Sequence, residues 1–290
     1  MTCDPEIYFD DSLTADQRVL AEESIIAIVE SKRAQTAAAL ARAAEVEKFE
    51  AAINAPLTEL IQQHPVAAEA LRQVPERPLE PSSEFIRPPL SGVPTLPVLP
   101  LAQRVLARVP PYDISWFWHD LSGAWPTSRT GNLDGNLAMD ARSGYGGADD
   151  FVSSHIGVGC LVRIDRPVAV ELYAQRTSRH EFIVGAGGLG ANATAEGGVE
   201  TTFMRGSTVI MAGQIPMFRR RVSAGEDGQE STGWSEGTYP NGMGGRIEPG
   251  EYYFNVGIYT FTDYSSGFLG SASAKSLVQS VIRNMAVVQR

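Results

Sequence analysis

The sequence is poor in cysteine, in lysine and, over its first third, in glycine. Cys3 and Cys160 are its only cysteines, and two thiols in 290 residues make no disulfide framework. Only 3 lysines accompany 21 arginines, the single basic run is Arg219-Arg220-Arg221, and the net charge is −10. A nucleic-acid footprint needs clustered cations, so no nucleic-acid partner is expected. No apolar run approaches the roughly 18 residues that span a bilayer, and no membrane insertion is expected. The start, MTCDPEIYFDD, lacks the basic region and apolar run of a secretory signal. Synthesis in the cytoplasm without a signal peptide follows as the expectation, together with a place in a released particle.

What is present is unevenly placed. Of 28 glycines, 27 follow Pro111, and 10 of the 18 prolines fall between Pro75 and Pro111. Residues 1–80 carry 15 acidic and 7 basic side chains. This divides the chain into an acidic, glycine-free helical region (1–74), a proline-rich arm or linker (75–111) and a glycine-rich body (112–290). The expected fold is α+β by segment, with an antiparallel β-sandwich or jelly-roll-like domain at the C-terminal end.

Ala, Glu, Gln and Arg dominate the head and favour helix. Thr14 with Gln17 fits a capping box, so the helix is expected to start at Ala15. Its apolar positions form two patches, Ile25-Ile28-Val29 and Val46-Phe49-Ile53, and Pro56 is expected to interrupt it. So narrow a stripe must pack on its own chain, on the body or on copies of itself. The arm holds Phe85, Ile86, Leu90 and Leu96 and is too apolar for free solvation. A short helix is expected at 101–109. In the body, glycine-bounded runs at 160–164, 168–174, 181–184, 199–204, 207–211, 214–221 and 251–261 read as strands, with Gly257 marking a bulge. Residues 277–288 fit either periodicity; a closing strand is preferred.

Several motifs resemble enzyme signatures without their context. Gly185–Gly190 matches G-x-G-x-x-G, but no helix-length segment follows it, so a strand-connecting loop is expected. Gly233–Gly237 matches G-x-S-x-G around Ser235, without the strand and helix a nucleophile elbow needs. Asn132, Asp134 and Asn136 alternate like calcium ligands, yet the glycine and the final glutamate are misplaced, so Asp134-Gly135 reads as a turn. No cofactor is expected. A nonstandard calcium site on Asp134, Asp140, Asp149 or Asp150 is the alternative considered.

Aromatic residues carry the functional expectation. Trp116, Phe117, Trp118, His119, Asp120 and Trp125 lie within ten residues. Trp116 and Trp118 share a strand face and suit a core. Trp125, Tyr145, Trp234 and Tyr239, with His119 and Asp120, are the candidate glycan-binding residues, because ring faces stack on sugar C–H faces while polar neighbours bind hydroxyls. The division into anchor, arm and recognition domain resembles that of phage-type virion spikes and fibres. It implies a structural, non-enzymatic attachment protein: a homo-oligomer, or part of a larger protein assembly, with a cell-surface glycan as ligand. The alternative is a β-sandwich carbohydrate-active hydrolase, with Asp120, Asp134, Asp149, Glu171, Glu181 and Glu236 as available carboxylates.

Overall fold

A computed structural model describes residues 4–66, 104–121, 129–144, 150–265, 267 and 269–290. Among the described residues, one N-terminal helix precedes a large antiparallel β domain of the sandwich type, and about 64% of them are strand. The elements run β1 (Glu6–Phe9), α1 (Ala15–Gln62), β2 (Arg104–Arg108), β3 (Ile114–Leu121), β4 (Arg129–Gly131), β5 (Asn136–Ser143), β6 (Asp150–Ile164), β7 (Val168–Leu189), β8 (Asn192–Arg205), β9 (Thr208–Ser223), β10 (Glu226–Ser231), β11 (Ser235–Ile247), β12 (Gly250–Ser265) and β13 (Leu269–Gln289). The front sheet has the order β1-β3-β6-β12-β8-β9, and the back sheet β10-β7-β13-β5-β4, with β11 also on β7 and β2 also on β13.

The core lies between the sheets. Along β12, Tyr252, Phe254, Val256 and Ile258 face inward against Val158, Phe203 and Val199, as their alternation predicts. The opposite face of the front sheet is not left to solvent. Ala21, Ile25, Ile28 and Val29 form one stripe of α1 and bury a second cluster with Ile114, Trp116, Trp118, Leu161, Met204 and Tyr253. The helix starts where its capping box puts it. Thr14 accepts from the Gln17 backbone, and the Gln17 side chain accepts from the Thr14 backbone.

Four expectations are corrected. Pro56 does not interrupt α1, which runs on to Gln62 through it. A proline forfeits one backbone bond and crowds the preceding turn, a cost of about 3 kcal/mol that good helix formers on both sides absorb. Residues 104–108 form a strand rather than a helix, because the end of β13 offers them an antiparallel partner, Leu106 opposite Val287. Gly185–Leu189 is no loop: it lies in β7, paired with β13 and β10, and only Gly190 stands in the turn. Gly257 sits in regular register opposite Gly157 and Glu200, with no bulge.

These last two share a cause. Many glycines here are demanded by close packing within strands and not by turns. A Cβ on Gly159 would lie 2.3 Å from the Tyr253 ring, and one on Gly157 would lie 2.7 Å from the Trp116 indole nitrogen. Residues 277–288 are strand, as preferred, but they occupy the middle of the back sheet between β7 and β5.

Candidate functional site

Three features outside the main core carry chemistry: the dock between α1 and the front sheet, a cleft at one edge of the sandwich, and the distal half of α1.

The dock is polar at its centre. Ser153 and His155 alternate on β6 and so project from the same face, and Glu200 lies two strands away on β8. The Ser153 hydroxyl lies 3.3 Å from His155 Nε2, and His155 Nδ1 lies 2.9 Å from Glu200 Oε1. From the helix, Lys32 Nζ reaches Glu200 Oε2 at 2.7 Å, and the Thr36 hydroxyl donates to Ser153 Oγ at 3.5 Å. Burial alone would raise the Glu200 carboxyl, but the Lys32 and His155 charges and their bonds prevail and hold it down to about 2. The His155 ring lies between Trp118 and Tyr259, with centroids 5.3 and 6.1 Å away, and the Arg33 guanidinium lies over Trp118 at 5.7 Å.

The order Ser153–His155–Glu200 repeats the nucleophile–base–carboxylate chain of a hydrolase. Here Ser153, His155 and Glu200 are all buried, and Ser153 meets Thr36 of the helix. The chain of bonds instead fixes where α1 lies on the sheet. Sequence reasoning did not find it. Ser153 and His155 carried the signal of period-two spacing, but Lys32 lies more than a hundred residues upstream.

The cleft opens where β1 and β3 of the front sheet face β4 of the back sheet. It encloses about 560 Å³ and is lined by Tyr8, Phe9, Phe117, Arg129, Asn132 and Leu133, among others. The Arg129 guanidinium lies 3.9 Å from the centre of the Phe117 ring and forms a close ion pair with Glu6. Its bond to Arg129 lowers the Glu6 carboxyl below its usual value, despite partial desolvation. Burial, then the Arg129 charge, lowers the pKa of neighbouring His119. Tyr8 is 57% exposed, the most open large aromatic at the rim.

The candidate glycan residues do not all gather there. His119 and Asp120 lie on β3 beside the cleft, and both are half-buried. Trp234 is half-buried between β10 and β11, with Arg179 of β7 5.9 Å over its ring. That is the opposite edge of the back sheet from β4. Tyr239 belongs to β11 at a register shift. Trp125 and Tyr145 lie outside the described residues. Trp116 and Trp118 are core: both are buried beneath α1, and the Trp116 indole donates to Asn255 at 2.6 Å.

The carboxylates available for hydrolysis are mostly engaged singly. Glu171 accepts from Tyr173 and pairs with Arg290, Glu181 pairs with Lys275, and Glu236 pairs with Arg283. Glu171 and Glu181 are ten residues apart on one strand, about 33 Å, whereas glycosidase carboxyls stand roughly 5–9.5 Å apart. Asp134 stands in the tight turn before β5, where Gly135 has φ +77°. Asp140 is buried against Arg142. Among the described residues, no group of three or more His, Cys, Asp or Glu is placed to hold a metal ion. Also among them, no helix is long and apolar enough to cross a membrane.

The third feature is what α1 does after it leaves the sheet. Thr36 is the most distal helix residue with a described bond to the sheet. The remaining 26 residues, to Gln62, extend about 39 Å at 1.5 Å per residue. Along them Val46, Phe49, Ile53, Leu57 and Leu60 are 42%, 67%, 61%, 47% and 57% exposed. Their spacing of three and four places them on one side of the helix. So the first apolar patch read from the sequence is docked, and the second stands uncovered among the described residues.

Helix and sheets together define an α+β protein: an antiparallel sandwich with a long helix docked by its first half. No protein-family model and no curated protein matches the chain. Among solved structures it is similar to that of infectious bursal disease virus Gt strain, at 10% identity and a TM-score of 0.23, covering 68% of this chain and 42% of that one. It is similar also to a mutant VP2 protein of infectious bursal disease virus in derived T=1 particles, at 11% identity and a TM-score of 0.20, covering 68% and 40%. The chain spans about two fifths of the length of these proteins. At such scores the likeness is not evidence of a shared role.

Proposed function

We propose that the protein is a structural and attachment component of a larger assembly, of the virion spike or fibre type. In this reading it associates through the distal half of α1 and binds a glycan through its β domain. The observation that carries the reading is the uncovered stripe from Val46 to Leu60, on a helix whose first half is held by a buried polar dock. An exposed row of large apolar side chains marks an interaction surface. Fully covering each is worth about 1.5–3 kcal/mol. Association costs roughly 4–15 kcal/mol, so the stripe supports assembly only when most of it is covered at once.

For the ligand, the cleft replaces the loops as the favoured place. Tyr8 supplies an open ring face, and Arg129 and Asn132 supply donors beside it. The test is a glycan array on the full chain. Tyr8→Ala is expected to lose the bound glycans and Trp234→Ala to keep them. Loss with Trp234→Ala alone would move the site to the other edge, and an array blank for wild type would remove the glycan.

A further inference from the structure

We infer that the distal stripe of α1 docks on the β9 edge of a second copy of this chain, so that the assembly grows by a heterologous contact. The inference rests on the assembly reading above and names the partner surface.

The stripe does not suit its own kind. Between residues 45 and 62 the helix carries Glu45, Glu47, Glu50 and Glu59 against a single base, Lys48. Helices paired stripe to stripe would bring two acidic segments together, where like charges repel. The preferred partner is an apolar surface bordered by cations.

In the β domain, apolar side chains and cations lie along one edge strand. β9 is the outer strand of the front sheet and, among the described residues, is bonded on one side only, to β8. Val209, Ile210 and Ile215 on it are 45%, 38% and 45% exposed. They flank the edge from its two faces, Val209 opposite Met204 on the helix side and Ile215 opposite Val199 on the core side. Its sequence from Thr208 to Ser223 contains no acid and three arginines, Arg219, Arg220 and Arg221, all exposed. Arg219 is shared with Glu196 at 3.3 Å and still has 74% of its side chain open. This is the one basic run in a chain of net charge −10. Apolar residues meet apolar residues, and glutamates meet arginines, when the helix of one copy lies along the β9 edge of another. Such a contact is not self-complementary. It repeats head to tail, giving a ring if the rotation closes and a filament if it does not.

The experiment uses full-length chains in a Cys3→Ser background, Cys160 being buried. One variant carries Ile53→Cys and another Ile215→Cys. On mild oxidation of each alone and of the mixture, the disulfide-linked dimer is expected in the mixture only. Reversing Arg219, Arg220 and Arg221 to Glu is expected to weaken association at least about tenfold, as loss of complementary charge does. A dimer from Ile53→Cys alone would overturn the β9 docking and leave helix-driven assembly standing. A wild type that stays monomeric at every concentration would overturn both.

Discussion

Trp118 has no exposed surface and packs against the His155 ring beneath the helix. Its burial separates two roles that a tryptophan-rich segment leaves open. Trp118→Ala is expected to cost about 3–5 kcal/mol in chemical denaturation, the usual penalty for truncating a large buried ring. A cost below 1 kcal/mol (within the range of ordinary surface substitutions) would mean that the helix does not cover it. Glu200 is the other decisive residue. Its carboxyl is held near 2, below an ordinary 4.5. A depressed folded pKa contributes stability that is complete above the unfolded value and is lost as pH falls through the folded one. The docked helix is therefore expected to loosen between about pH 4.5 and 2, followed by tryptophan fluorescence. Glu200→Gln is expected to flatten that acid limb and to cost about 3–5 kcal/mol at neutral pH, because it strands Lys32. An unchanged acid limb in the variant would contradict the role given to this carboxylate.

At the scale of elements, the helix was the more legible part. Its start follows from Thr14 and Gln17 alone, and its two apolar patches behave differently as their separation suggests. The strands were legible in kind but not in length. Glycine was read mostly as punctuating the gaps between them, whereas Gly157, Gly159, Gly197 and Gly198 lie inside strands. The reason is three-dimensional. Tyr253, Trp116, Phe218 and Tyr259 press rings or chain against those backbones, and no local pattern announces which ring will arrive. The Ser153–His155–Glu200–Lys32 dock was hidden for the same reason, since three elements far apart in sequence meet there. Gly135 shows the opposite case, a glycine whose turn role was read correctly. Gly135→Ala would force φ +77° on an L-residue and place its Cβ 2.5 Å from the Ile282 carbonyl. A loss of more than about 1 kcal/mol of stability is expected. A neutral effect would contradict the turn geometry.

For the whole molecule, the sharp change in composition near Pro111 does not mark a clean structural division. β1 completes the front sheet beside β3, and the first half of α1 roofs Trp116 and Trp118. Removing the head would therefore uncover a buried face, so association is best tested by point changes in the full chain. The uncovered stripe, the acidic sequence around it and the basic β9 edge then describe one object, a sandwich carrying a helix that needs a neighbour. The most direct measurement is light scattering on the full-length protein over a range of concentrations, beside Phe49→Asp/Ile53→Asp. Wild type is expected as an oligomer that dissociates on dilution and in high salt, and the variant as a monomer with unchanged folding. An oligomer of unchanged mass in the variant, or a wild type that is monomeric throughout, would contradict the account.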